Sequence, residues 1–176
     1  FDSGARLLDW GAHTVDLCQW ANKADDTMPV EYEPAADKIV CRYANGVKLV
    51  LRNDGWLPGL GSCPVRYEGS TGWVETADNG ELAANPASLI AGPRPRIGGY
   101  PANFHVRDFL ACVRSRGKTR ADADTACWSH VTCHAANIAL FLNRRVKFDP
   151  AKREFIGDPD ANRLRSEALR EPWRAI

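Results

Sequence analysis

No apolar run in this sequence approaches the roughly 18 to 20 residues that a membrane-spanning helix needs. No signal peptide is visible, and neither an internal repeat nor a low-complexity tract interrupts the chain. An excess of charge is also missing. Twenty-three Lys and Arg stand against 22 Asp and Glu, a net charge of +1, which argues against a nucleic-acid partner. The basic side chains are scattered apart from Arg163, Arg165, Arg170 and Arg174, which read as a solvated helix face. None of the six cysteines forms a CxxC pair, and several lie in apolar stretches. That favours reduced thiols over a disulfide framework. A dinucleotide fingerprint is absent too: no GxGxxG follows a strand, and Gly59-Leu60-Gly61 is too isolated to replace it. The chain opens at Phe1 straight into structured sequence, as a fragment missing its native start would.

What remains is a chain of 176 residues with ordinary apolar, charged and aromatic fractions. That length suits one domain and is enough for a real core. Residues 3–22 read as a helix capped by Ser3. Segments 37–43 and 47–53 flank Asn45-Gly46, the strongest hairpin signal, which predicts a type I′ turn. Segments 65–68 and 73–76 flank Gly69-Ser70-Thr71-Gly72 and predict a second hairpin with a longer loop. Residues 81–83 add a short strand, and 92–101 a Gly- and Pro-rich connection. Residues 103–116 predict an amphipathic helix, with Val106, Phe109, Leu110 and Val113 on one face and Gly117 as its cap. Asp122 can cap a long helix to about Asn143; 146–148 can form a last strand; Asp158-Pro159 starts a short helix. The order predicts an α+β fold: an open, mostly antiparallel β-sheet with helices packed on one face. Along 47–52, Val47, Leu49 and Leu51 alternate with Lys48, Val50 and Arg52, which leaves apolar groups on both faces. The uncovered face is therefore expected to pair copies into a homodimer or homotetramer.

The first helix carries the most informative stretch. On a wheel of about 100° per residue, Asp9, His13, Asp16 and Trp20 fall within an arc of roughly 60°. Leu7, Leu8, Gly11, Ala12, Val15, Leu17 and Cys18 make the remainder apolar or small, so the helix should be largely buried. Unpaired buried charge is expensive. The ionisable arc therefore either faces a cleft, where Asp9 orients His13 for acid–base work, or forms a satisfied Asp–His pair that ties the helix to a loop.

Gly4 followed by Asp9-x-Gly11-x-His13-x-x-Asp16 resembles the signature helix of the Gfo/Idh/MocA family, the glucose–fructose oxidoreductase and inositol dehydrogenase relatives. The similarity continues through 65–74, Phe104 to Arg116, Cys133-His134-x-x-Asn137-Ile138-Ala139, Phe148-Asp149-Pro150 and Gly157-Asp158-x-x-Ala161-Asn162-Arg163, ending at Pro172-Trp173, in the manner of a bacterial branch. The resemblance implies that residues 1–176 are the C-terminal substrate-binding and oligomerisation domain of a two-domain enzyme, with the Rossmann cofactor domain absent. It implies His13 and Asp9 as catalytic residues, with Asp16 of the same motif a substrate contact; of the six tryptophans, which have no regular spacing, Trp20 is read as the sugar-facing ring. NAD or NADP would be bound mainly by the missing domain, so no residue here is assigned to the cofactor and none is expected in the fragment. The chain departs from relatives at Ser3-Gly4-Ala5-Arg6, where they often carry a run of glycines. It departs again at Ala126-Cys127-Trp128, where many carry Gly-His-Arg.

Other constellations carry less. His130 and His134 lie one turn apart but lack the Glu of H-E-x-x-H, so no metal is expected and both read as hydrogen-bonded packing residues. Asp122 and Asp124 suit a helix start, and Asp122 is also a candidate for a substrate hydroxyl. Ser3, Ser62 and Ser129 lack a nucleophile-elbow context.

The expected function is the substrate side of an NAD(P)-dependent oxidoreductase of a sugar or polyol, the fragment alone being inactive. A relative that cleaves glycosides by transient oxidation and a non-enzymatic binding or oligomerisation domain are the alternatives. The expected compartment is the cytoplasm, or the exterior after export in folded form if a signal lies upstream.

Overall fold

The computed structural model describes residues 5–52, 63–77, 80–93 and 102–167. Ser3, Gly59-Leu60-Gly61, Ser62, Arg170, Pro172-Trp173 and Arg174 lie outside them.

Two helices open the described chain, α1 (Ala5–Leu8) and α2 (Trp10–Ala21). Three strands follow: β1 (Glu31–Pro34), β2 (Lys38–Arg42) and β3 (Lys48–Arg52). Next come β4 (Val65–Gly69), β5 (Gly72–Thr76), β6 (Leu82–Asn85) and a 3₁₀ turn at Ala87–Ile90. Helices α3 (Ala102–Ser115) and α4 (Ala123–Leu142) precede β7 (Val146–Asp149), β8 (Glu154–Phe155) and α5 (Pro159–Arg163). The α+β fold expected from the sequence is present, and its strands form two antiparallel sheets, β3-β2-β1-β7-β8 and β4-β5-β6.

Cross-strand register sorts the five-stranded sheet into two unlike faces. The row Leu49–Cys41–Tyr32–Val146 lies on the inner one. There it meets Val15 of α2 and Cys133, Ala135, Ala136 and Ala139 of α4 in one core. The small residues of α4 let its backbone approach the sheet closely, where dispersion contacts are densest. The opposite face carries the rows Lys48–Arg42–Glu31–Lys147 and Val50–Val40–Glu33. Arg42 donates to Glu31 at 2.8 Å and to Glu33 at 2.9 Å, and Arg145 also pairs with Glu33. These rows are mainly a charged lattice with Val40 and Val50 as the apolar members, less apolar than the alternation along 47–52 led one to expect.

The hairpins form where expected, with different turns. Tyr43 accepts from the Gly46 N–H at 3.0 Å and donates its own N–H to Val47 at 2.9 Å. Gly46 alone of Asn45-Gly46 takes positive φ, +87°. This pattern is a three-residue loop with a glycine bulge, not type I′. Asn45 instead spends its side chain on the Val47 N–H, 3.1 Å away, and on Asn22, 3.0 Å away. In the second hairpin pairing runs through Gly69 and Gly72, so only Ser70 and Thr71 form the loop. Gly72 has φ +146°, and a Cβ there would lie 2.1 Å from the Asn85 carbonyl oxygen of β6, so glycine is required.

Both ends of α4 are capped, the first by Asp122 as the sequence predicts. The Asp122 carboxylate accepts the Asp124 and Thr125 N–H groups at 2.8 and 3.2 Å. Asn143 takes left-handed φ 48°, and Arg144 donates its N–H to Ala139 in a Schellman closure. At the end of α3 it is Arg116, not Gly117, that adopts the left-handed conformation, φ 56°. The stripe Val106, Phe109, Leu110 and Val113 on α3 is exposed.

Candidate functional site

The expected single helix over 3–22 breaks at Asp9, whose φ −88° and ψ −87° are not helical. Asp9 is the N-cap residue of α2, yet its side chain makes no capping hydrogen bond. Its main-chain oxygen accepts from Ala12 at 3.3 Å, and its carboxylate is exposed. One turn on, His13 is exposed as well. No hydrogen bond joins the two side chains, so the tied Asp–His pair considered from the sequence does not form. The ring of Trp10 stands 5.8 Å from the His13 ring, tilted by 43°. Asp16 accepts the Ser129 hydroxyl at 2.8 Å, and Trp20 is 70 % exposed.

The other side of α2 explains why these groups point outward. Val15 and Gln19 are buried, and Gly11 faces Cys133 of α4. With Gly11 opposite Cys133 and Asp16 opposite Ser129, α2 and α4 run antiparallel. The apolar remainder is held against α4, which leaves Asp9, Trp10, His13, Asp16 and Trp20 along the free edge.

A family model described as the oxidoreductase family, C-terminal alpha/beta domain, matches residues 1–175. The chain belongs to the Gfo/Idh/MocA oxidoreductase family. No curated protein and no solved structure matches it.

Antiparallel packing also decides where Asp122 sits in this Gfo/Idh/MocA domain. It lies beside the C-terminal end of α2, a 12-residue helix about 18 Å long, and so at the opposite end from Asp9. There it lines a shallow depression of about 460 Å³ with Asp25, Asp26, Trp128 and Arg153. The Arg153 guanidinium rests 4.7 Å above the Trp128 ring. Hydrogen bonds from the Thr125 and Asp124 backbone hold the Asp122 carboxyl below the usual carboxylate range. Its position and its capping role separate Asp122 from Asp9 and His13.

Three neighbours of the motif were not singled out from the sequence. Trp10 stands three residues before His13 within α2, a spacing that makes them neighbours on the helix, but it lies outside the ionisable arc. Ser129 meets Asp16 across 113 residues of chain. Gln19 is a core polar hub: its amide donates to the Ala24 and Thr27 carbonyls at 3.1 and 2.9 Å and accepts from the buried Tyr43 hydroxyl. Its signal was a polar residue on the buried side of α2.

The remaining groups narrow the chemistry. Burial pushes the thiols of Cys18 and Cys133 up to about 12, and Cys41 is raised further by the same cause. Thiolate nucleophiles are thereby disfavoured at these positions. His130 and His134 are exposed and not hydrogen-bonded, contrary to the packing role read from the sequence, because α4 turns that stripe away from the sheet. Partial burial and the neighbouring His130 lower the His134 pKa. Among the described residues no group of three or more His, Cys, Asp or Glu side chains is placed to hold a metal ion. None of the described helices is long and apolar enough to cross a membrane.

Proposed function

We propose that this domain supplies the substrate side of an NAD(P)-dependent oxidoreductase acting on a hydroxyl of a sugar or polyol, with the cofactor held mainly by a dinucleotide-binding domain of the full-length protein. The observation that carries this reading is the pair Asp9 and His13, exposed together on the free edge of a helix whose other side is buried.

Both side chains are exposed and so open to a substrate. A bound nicotinamide would supply hydride acceptance from the carbinol carbon. The residues here manage the proton and the hydroxyls. Neutral His13 accepts the proton of the reacting hydroxyl and becomes an imidazolium. The Asp9 carboxylate, one turn away, stabilises that cation electrostatically without having to be protonated itself. Asp16, steadied by Ser129, accepts a further hydroxyl, and Trp20 offers an apolar surface farther along α2. The self-association expected from the sequence belongs to this proposal too, with the charged lattice around Arg42 and Glu33 as the face to be joined.

The test is turnover of the full-length protein with NAD or NADP against a panel of sugars and polyols, read by nicotinamide absorbance. Cofactor reduction by at least one panel member is expected, and none from residues 1–176 alone. Failure across both cofactors and the whole panel would sink the reading.

A further inference from the structure

His130 and His134 of α4 are two imidazoles for which the fold has no use. Both are exposed, and among the described residues neither makes a hydrogen bond or an ion pair. The chain has four histidines, and only these two stand four residues apart. On an α-helix that spacing puts the Cβ atoms about 5 to 6 Å apart on one face. Such a separation lets two imidazole nitrogens converge on one ion, at Zn–N bonds of about 2.0 to 2.1 Å. The rings are electrostatic neighbours: partial burial, and then His130, lower the His134 pKa.

The scaffold under the pair is rigid. Asp122 and Asn143 cap the two ends of α4, and Ser129, Thr132, Cys133, Ala135 and Ala136 are buried around the histidines. These contacts fix the rotation of the helix and hold both side chains to its outer face before any ion arrives. Ligands positioned in advance lose little conformational entropy on binding.

We infer that His130 and His134 chelate one divalent transition-metal ion of the class that prefers imidazole, Zn²⁺, Ni²⁺ or Cu²⁺. Mg²⁺ and Ca²⁺ take oxygen donors and are excluded. The glutamate missing from His130-Val131-Thr132-Cys133-His134 is the general base of H-E-x-x-H peptidases, so its absence removes hydrolysis and not chelation. No third metal-ligating side chain joins the pair among the described residues. Water therefore fills the ion's other positions, and the complex is a clamp across one turn of α4, not a closed structural site. It does not depend on the roles proposed for Asp9 and His13.

The experiment titrates Zn²⁺ and Ni²⁺ into the full-length protein, freed of any affinity tag, by calorimetry, and follows the imidazole NMR signals during the Zn²⁺ titration. Saturable micromolar binding of one ion per chain is expected, with no response to Mg²⁺ and the NMR shifts centred on His130 and His134. His130→Gln and His134→Gln should each weaken Zn²⁺ binding at least about ten-fold, since losing a ligand costs no less than losing an outer-shell partner. Both variants place a good helix former at an exposed position, so the fold is kept. His13→Gln and Cys127→Ser should leave the affinity nearly unchanged. Binding that survives both His130→Gln and His134→Gln overturns the inference, as does binding lost in His13→Gln or Cys127→Ser. So does saturation only at millimolar ion, or no binding at all.

Discussion

Ser129 of α4 donates its hydroxyl to the carboxylate of Asp16 of α2 at 2.8 Å. Ser129 is 2 % exposed whereas Asp16 is exposed, so the bond runs from the core outward and fixes a surface carboxylate from below. It joins the two helices that hold the candidate site in place. Ser129→Ala should cost about 1 to 2 kcal/mol, the usual worth of such a bond with partial solvent access to the acceptor. For a domain of this size that is a fall in Tm of roughly 2 to 8 °C. An unchanged urea midpoint would show that the contact does not couple the helices.

Gln19 should be the more sensitive position. Gln19→Ala leaves the Tyr43 hydroxyl and the Thr27 carbonyl without this partner, while the Ala24 carbonyl keeps the Thr27 N–H at 3.3 Å. Unsatisfied buried groups cost about 1 to 3 kcal/mol each, so about 3 kcal/mol in all is expected after partial rearrangement. Tyr43→Phe removes one donor only and should cost about 1 kcal/mol. Denaturant unfolding decides the order of the two. Equal losses would contradict the hub role of Gln19.

The β5–β6 edge depends on Gly72. An alanine Cβ there would overlap the Asn85 carbonyl oxygen, and the φ of +146° disfavours any side chain. Gly72→Ala should destabilise by at least about 2 kcal/mol and lift protection from β6 amides in hydrogen exchange. Retained protection at Ala84 would contradict it.

Acid stability should report the Arg144–Asp158 pair. The Arg144 guanidinium holds the Asp158 carboxyl below its usual range, helped by the Ala161 N–H. The folded pKa lies below the unfolded one, so the unfolded chain binds the proton first as pH falls. The pair's contribution is therefore full above the ordinary aspartate pKa of about 3.9 and drains away below it. Asp158→Asn keeps a capping side chain but loses the charge. Its urea midpoint should lie below wild type at pH 7 and converge with it below about pH 4. Parallel pH curves would contradict the assignment.

How much of this was readable before the structure depends on whether a feature is local. Asp122 and Asp158 cap helices through their own neighbours, and the sequence placed them correctly. Asn45-Gly46 located its hairpin but not its turn type, because pairing of Tyr43 with Val47 leaves three residues in the loop and the left-handed position to Gly46 alone. β1 was missed. In Glu31-Tyr32-Glu33-Pro34 only Tyr32 points into the core, while both glutamates meet arginines that come from β2 and from the residue before β7. The motif on α2 was legible by its spacing. The separation of Asp122 from it was not, because that follows from the antiparallel packing of α2 on α4, a relation between residues more than a hundred positions apart.

The central claim is that His13 moves the proton of the reacting hydroxyl. The direct test is substrate-saturated turnover of His13→Ala in the full-length enzyme, with cofactor affinity measured alongside. A fall in kcat of about 10²- to 10⁴-fold, the range for a lost general base, with nearly unchanged cofactor affinity, is predicted. Turnover within a few-fold of wild type would remove His13 from the chemistry.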